Sequence, residues 1–225
     1  TRRSSGSHYH ATPEDHAVLE KKGFLLVDSG ATYMDGTTDI TRTYPLGPLT
    51  EDEKRFYTWT LQSHIDLAKA VWLDYCECKM IDTIAREPLW RHLINYRCGT
   101  GHSVSFVGNV HEGPHSLRGT NSVLMRPGMV VTDEPGVYET DLVGIRIENE
   151  LVCVHKADNQ YGTFLGFEPL MFVPIATSPI LPGVLDKDEI AWLNDYHRQV
   201  FAKLAPHLND EERSWLAEKC AAIGC

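Results

Sequence analysis

Phe24-Leu25-Leu26-Val27 is a short apolar run that ends on Asp28, and after Gly30 the chain reaches Tyr33-Met34-Asp35-Gly36 and a threonine-rich stretch. This pattern predicts a strand, an Asp-Gly turn and a second strand, so that Asp28 and Asp39 face each other across a hairpin. Thr50-Glu51-Asp52-Glu53 has the spacing of a capping box. Phe56, Thr60, His64, Leu67 and Val71 then recur as one stripe, which predicts a helix to about Trp72 packed on a sheet. A second helix is predicted from about Met80 to Leu93, kinked or interrupted at Pro88 because proline brings no N–H to the ladder.

Beyond it, Gly99, Gly101, Gly108 and Gly113 punctuate extended structure, and Pro127-Gly128 marks a turn before Met129-Val130-Val131. Gly144-Ile145-Arg146-Ile147-Glu148 alternates as a strand that puts Arg146 and Glu148 on one face, and another strand is expected from Leu170 to Ile175. From Asp186 onward Ile190, Leu193, Tyr196, Val200, Phe201 and Leu204 repeat at helical spacing, and a charged helix follows near Glu211 to Ala222. These last helices are expected to be structural or interfacial. Interleaved strand pairs and helices indicate an α+β fold, helices covering one side of a curved, mostly antiparallel sheet, with the functional groups on the other side. Residues 1–225 are read as one catalytic domain, about 186–225 forming a C-terminal helical extension.

Composition narrows the partners. A formal net charge of −10 argues against nucleic acid or an anionic membrane surface, both of which need clustered Lys and Arg. No charged-then-apolar leader and no apolar run long enough to span a bilayer can be read, although a chain that starts at Thr1 leaves room for an upstream segment. The six cysteines are scattered, which favours free thiols in a reducing cytoplasm. Cys76 and Cys78 lack a second pair to complete a metal site and read as two half-buried thiols.

Candidate chemistry changes the picture most. Asp28 and Asp39, His102 in Gly-Thr-Gly-His, Glu134 in Thr-Asp-Glu-Pro-Gly and Glu148 in Gly-Ile-Arg-Ile-Glu-Asn supply four carboxylates and one imidazole. Such an oxygen-rich set suits two hard ions of the manganese type better than a sulfur- and nitrogen-rich zinc site. Singly, each residue has a plainer reading: Asp28 or Asp39 as a turn or capping residue, Glu148 as a partner of Arg146, His111 as a satisfied half-buried histidine. Together they point to a hydrolytic metalloenzyme.

The segments His8-Tyr9, Asp28-Ser29-Gly30-Ala31, Asp35 to Thr43, Gly99-Thr100-Gly101-His102, Asn109 to Pro114, Thr132 to Gly136, Gly144 to Asn149, Phe167-Glu168-Pro169-Leu170 and Trp192 to His197 carry a resemblance over nearly the whole chain. The chain resembles the catalytic domain of Xaa-Pro aminopeptidases (aminopeptidase P), within the methionine aminopeptidase and prolidase superfamily. That resemblance implies the pita-bread fold and a dinuclear centre holding two divalent ions, most simply Mn2+, with Co2+ or Zn2+ as alternatives. It implies Asp28, Asp39, His102, Glu134 and Glu148 as metal ligands, with His8 and His111 contacting substrate beside His102. Glu134 is the candidate for carrying a proton from water to the leaving proline nitrogen, His111 for donating to the developing oxyanion, and His8 for a further catalytic contact. The implied partners are peptides with proline at the second position and a second copy of the chain in a homodimer, in the cytoplasm.

Two departures stand out. Where the family pattern carries a histidine four residues before the metal-binding one, this chain has Cys98, which implies a modified pocket. The resemblance also implies upstream domains, and because this sequence shows none before His8, it is read as a clipped or partial product of a longer chain. The remaining histidines, His64, His92, His115, His155, His197 and His207, receive no role and read as surface or helix-packing residues. The rival readings are a prolidase restricted to Xaa-Pro dipeptides, which substrate length would separate, and a catalytically weakened peptide-binding module, which would fail to retain two ions.

Overall fold

The computed structural model describes residues 12–224. β1 (Phe24–Tyr33) and β2 (Gly36–Pro45) form the expected hairpin, joined by Met34-Asp35. The turn needs glycine at position 36, whose φ of +146° an L side chain rarely adopts. In register, Asp28 lies opposite Thr41 and Asp39 opposite Gly30, so the two aspartates are diagonal neighbours and not the facing pair expected.

α1 (Glu51–Ala68) starts on the expected capping box: the Thr50 hydroxyl accepts the Glu53 N–H at 3.2 Å, and the Glu53 carboxylate accepts the Thr50 N–H at 2.7 Å. The helix stops at Ala68, short of Trp72, because Val71–Leu73 become β3, paired with β10 (Gly162–Pro169). Sheet pairing therefore removes Trp72 from the helix and seats it on Phe167, ring centroids 4.6 Å apart. Val71 turns outward, so the buried stripe ends at Leu67. α2 (Cys78–Trp90) carries Pro88 in its last turn, which brings no N–H to the ladder, and ends two residues later, short of the expected Leu93.

Among the described residues every strand pairing is antiparallel, and the strands fall into four groups. β3 and β10 continue into β9 (Asn149–Asn159) and β6 (Val130–Asp133) as the largest sheet. β4 (Gly101–His102) pairs with β5 (Ser116–Leu117), and β7 (Gly136–Glu139) with β8 (Val143–Arg146). The expected strand through Glu148 breaks after Arg146, and Ile147-Glu148 link β8 to β9. The long β9–β10 hairpin has no counterpart in the sequence reading.

The expected strand from Leu170 to Ile175 does not form. Pro169 and Pro174 bring no N–H, and side chains satisfy the segment instead: the Val173 N–H donates to the Tyr196 hydroxyl at 3.2 Å and the Ile175 N–H to His197 Nε2 at 3.1 Å. Both partners belong to α3 (Lys187–Leu204), which α4 (Asp210–Lys219) follows.

Two main cores hold these layers together. Tyr57, Leu61 and Ile65 of α1 pack with Ile145, Ile147 and the α3 residues Leu193, Tyr196 and Val200; Leu67, Trp72, Ile81, Met125, Leu151 and Leu165 form the other. Each fully buried aliphatic side chain of this kind stabilises the fold by about 1.5–3 kcal/mol. α3 is thus packed into the interior. His64 on α1 and His197 on α3 have no exposed surface and are helix-packing residues, whereas His115 is buried outside any helix, its Nε2 2.7 Å from the Val130 carbonyl. Cys78 is likewise fully buried, while Cys76 is the half-buried member of that pair.

Candidate metal centre

Asp39 reaches the site from β2, where alternation puts Thr41 on the same face. The Asp39 N–H donates to Glu150 Oε1 at 2.6 Å, which ties β2 to β9. His102 comes from β4, and that strand lies against β6 so closely that a Cβ on Gly101 would stand 1.8 Å from the Thr132 carbonyl oxygen. Only glycine permits the approach. Thr132 exploits it: its hydroxyl accepts the His102 N–H at 3.0 Å and donates to Glu134 Oε1 at 2.9 Å. The Glu134 N–H closes the loop on the Thr100 carbonyl at 2.7 Å.

His102 Nδ1 faces the Ser103 carbonyl at 3.2 Å, so Nε2 points into the site, 3.3 Å from Asp39 Oδ2 and 3.2 Å from Glu134 Oε1. Burial opposes charge on this imidazole, but Asp39 and Glu134 outweigh it and push its pKa up to about 10. Glu148, 1% exposed, accepts the Thr41 hydroxyl at 2.5 Å. Burial raises its pKa well above the ordinary range, and the negative charges of Glu134 and Asp39 raise it further. Asp39, His102 and Glu148 each offer a ligand atom within 4.8 Å of the others.

Asp28 stands at the edge of this group, half exposed, with its carboxylate on the Arg146 guanidinium. Burial raises its pKa and Arg146 opposes the rise. The same guanidinium donates to the Tyr138 hydroxyl and, through Nε, to Thr41 Oγ1 at 2.9 Å, while Glu134 and Glu148 lie 3.8 and 3.9 Å from that Nε. The structure therefore brings Asp39, His102, Glu134 and Glu148 together and holds Asp28 beside them through Arg146.

The residues fit divalent cations on their own chemistry. Carboxylates crowd one another in a half-buried space, with the His102 imidazole between Asp39 and Glu134 and the Arg146 guanidinium 3.8 and 3.9 Å from Glu134 and Glu148. The oxygen-rich donors suit hard ions. His111 packs edge-on against His102, ring centroids 4.0 Å apart, on the exposed loop after β4. Cys98 lines the same cleft of about 770 Å³, its Sγ 3.5 Å from the Gly136 carbonyl; burial and the Glu134 charge push its pKa up, so it remains a thiol. His8 lies outside the described residues.

Several supporting residues escaped the sequence reading. Thr41 was within reach of period-two alternation from Asp39; Thr132, Tyr138 and Glu150 carried no local signal. Behind the site, Arg42 is buried without a carboxylate partner among the described residues, donating to Asn149 Oδ1 at 2.8 Å, the Tyr196 hydroxyl at 2.9 Å and the Val173 carbonyl at 2.7 Å. His64 meets Asp133 at 3.0 Å, and burial lifts that carboxyl to about 6. On α2, Arg86 Nε holds Asp82 at 2.8 Å while its Nη2 holds the Cys98 carbonyl at 3.0 Å, fixing the approach to β4.

The family model described as metallopeptidase family M24 matches residues 2–155, and that for the C-terminal region of peptidase M24 matches residues 163–223. A probable Xaa-Pro aminopeptidase P of Coprinopsis cinerea is 40% identical over 224 residues, covering 96% of this chain and 36% of that protein. Among solved structures, the X-prolyl aminopeptidase of Caenorhabditis elegans, described as a cytosolic enzyme with a di-nuclear active site, aligns with a TM-score of 0.83 and 39% identity over 88% of this chain and 33% of that one. Prolidase from Pyrococcus furiosus aligns with a TM-score of 0.63 and 27% identity, over 75% and 46% of the two chains. The chain spans about a third of the length of the curated relatives it matches.

Proposed function

The chain belongs to metallopeptidase family M24 and has its pita-bread fold, and on that premise we propose that it is an aminopeptidase hydrolysing the bond between an N-terminal residue and a following proline. The observation that carries the proposal is the convergence of Asp39, His102 and Glu148 within 4.8 Å, with Glu134 on the same imidazole nitrogen. These four and Asp28 would hold two divalent ions, manganese on our reading, with cobalt and zinc as alternatives. Such ions supply Lewis acidity and bring the pKa of a coordinated water from 15.7 to about 7.

The chain's own groups do the rest. Glu134, whose carboxylate accepts from Thr132 and whose N–H donates to Thr100, is assigned to move a proton from water to the proline nitrogen. Protonation matters there because the departing nitrogen is the tertiary amide nitrogen of proline. His111, beside His102 at the open side of the cleft, is assigned to donate to the carbonyl oxygen as charge develops. Arg146 counters the burial that would protonate Asp28 and so keeps that carboxylate available. His8 is retained as a substrate contact on the resemblance alone.

A cytoplasmic setting and a homodimer are part of the proposal; the C. elegans neighbour is described as cytosolic, and no described helix is long and apolar enough to cross a membrane. The test is hydrolysis of Ala-Pro-Ala with added Mn2+, beside Glu134→Ala and with metal content measured. Cleavage of Ala-Pro-Ala but not by the variant is the expected result. Robust cleavage by Glu134→Ala would remove the proton-transfer role, and activity confined to the dipeptide Ala-Pro would make the chain a prolidase.

A further inference from the structure

Arg97 and Arg118 stand in the wall of the same cleft as the candidate ligands. Both are exposed, and they alone of the described arginines have no side-chain hydrogen bond or ion pair among the described residues. The contrast with Arg146, committed to Asp28 and Tyr138, and Arg86, committed to Asp82, is direct. Arg118 is also held in place: its stem lies along Gly99, where a Cβ would meet Nε at 2.7 Å and Cγ at 3.0 Å. Arg97, next to Cys98 in the chain, and Arg118, against Gly99, thus enter the same part of the cleft lining.

Charge makes the arrangement selective. The cleft is lined by four carboxylates, Asp28, Asp39, Glu134 and Glu148, and by three guanidiniums, Arg97, Arg118 and Arg146. With those carboxylates ionised and His102 neutral, as metal ligation requires, two divalent ions bring the formal charge of these groups to +3, inside a chain whose formal charge is −10. The loaded cleft becomes a positive island, and its unengaged positive groups are Arg97 and Arg118. A guanidinium presents a planar fork suited to a carboxylate, and opposite charge in a concave site concentrates anionic ligands.

We propose that Arg97 and Arg118 form an anion-selecting rim that recognises a carboxylate on the peptide beyond the proline, either its C-terminus or an acidic side chain at the third residue. The inference rests on the peptidase reading of this cleft. The recognised group lies away from the scissile bond, so ground state and transition state gain alike and the preference appears in KM.

Three peptides read it on the manganese-loaded protein: Ala-Pro-Ala amide, Ala-Pro-Ala with a free terminus, and Ala-Pro-Asp amide. At least one anionic peptide is expected to show a KM about five- to tenfold below the neutral amide, an advantage that fades by about 0.5 M salt. The one favoured identifies which carboxylate is taken. Arg97→Gln and Arg118→Gln should each lose part of the advantage and the double variant all of it. Equal KM for all three peptides in the wild type, or an advantage that survives in the double variant, overturns the proposal. Calorimetric binding of the same peptides reads the same ratio without turnover: anion-selective binding with no cleavage would refute the hydrolase reading and leave the rim standing, whereas binding without selectivity would refute the rim.

Discussion

Replacing His197 with glutamine should change how the protein answers acid. The imidazole has no exposed surface, its Nε2 accepts the Ile175 N–H at 3.1 Å, and Nδ1 has no hydrogen-bond partner. Burial, then the nearby Arg42 guanidinium, push its pKa down from 6.5 to about 4. Below pH 6.5 the unfolded chain takes up a proton that the folded chain refuses until about 4, so this contribution to stability is intact above 6.5 and is lost as pH falls between the two values. At about 1.4 kcal/mol per pKa unit the full loss is about 3 kcal/mol, of which about 2 kcal/mol falls between pH 7 and pH 5. Asp133 and Glu150 act in the opposite sense. Burial raises them to about 6 and about 7, so their stabilisation is present in acid and is lost as pH rises through those values.

The difference between two proteins isolates the histidine. Urea unfolding of chelator-treated wild type and His197→Gln at pH 7, 6 and 5 should show the stability gap moving by about 2 kcal/mol in the variant's favour as pH drops. Parallel curves would refute the reasoning, whatever the offset between them. The consequence reaches the site, because His197 and Tyr196 hold the segment whose Val173 and Pro174 carbonyls accept from Arg42, the neighbour of Thr41.

Four further outcomes can be measured. Glu148→Gln removes a charge that burial, Glu134 and Asp39 all disfavour, while the Thr41 hydroxyl keeps an acceptor, so metal-free stability should change by less than about 1 kcal/mol even as metal affinity falls tenfold or more; a loss of several kcal/mol without metal would contradict this. In the wild type, metal affinity should rise with pH, since protons on Glu148 and His102 must leave first. Thr132→Val deletes the hydroxyl shared by the His102 N–H and the Glu134 carboxylate and should cost about 1–3 kcal/mol in chemical denaturation together with weaker metal retention; unchanged values for both would deny the bridge its role. Cys98→His should alter Xaa-Pro turnover because the thiol faces the cleft beside Glu134, and identical kinetics would show the substitution to be neutral.

Some of this was legible residue by residue. The Asp35-Gly36 turn and the Thr50/Glu53 cap are short-range hydrogen-bond and dihedral rules, and both appear where expected. Helix α1 ran shorter than its stripe because β10, about a hundred residues away in sequence, claims Val71–Leu73. The strand expected from Leu170 failed for a similar reason: the N–H groups of Val173 and Ile175 are satisfied by α3, and apolar pattern alone does not distinguish that from a sheet. At the site, Asp39 and Thr41 sharing a face followed from alternation, whereas the diagonal offset of Asp28 depended on hairpin register.

The sequence by itself determined the elements whose bonds close within a few residues, and it determined the donor types, because four carboxylates and an imidazole define the chemistry they can hold wherever the chain puts them. Tertiary structure alone decided which of those groups crowd together, that Arg146 rather than a neighbouring carboxylate holds Asp28, and that Glu148 is buried. It also decided that Arg97 and Arg118 line the same cleft with no side-chain partner among the described residues. These are matters of distance and dielectric between segments far apart in the chain, and pKa, pairing and desolvation depend on both.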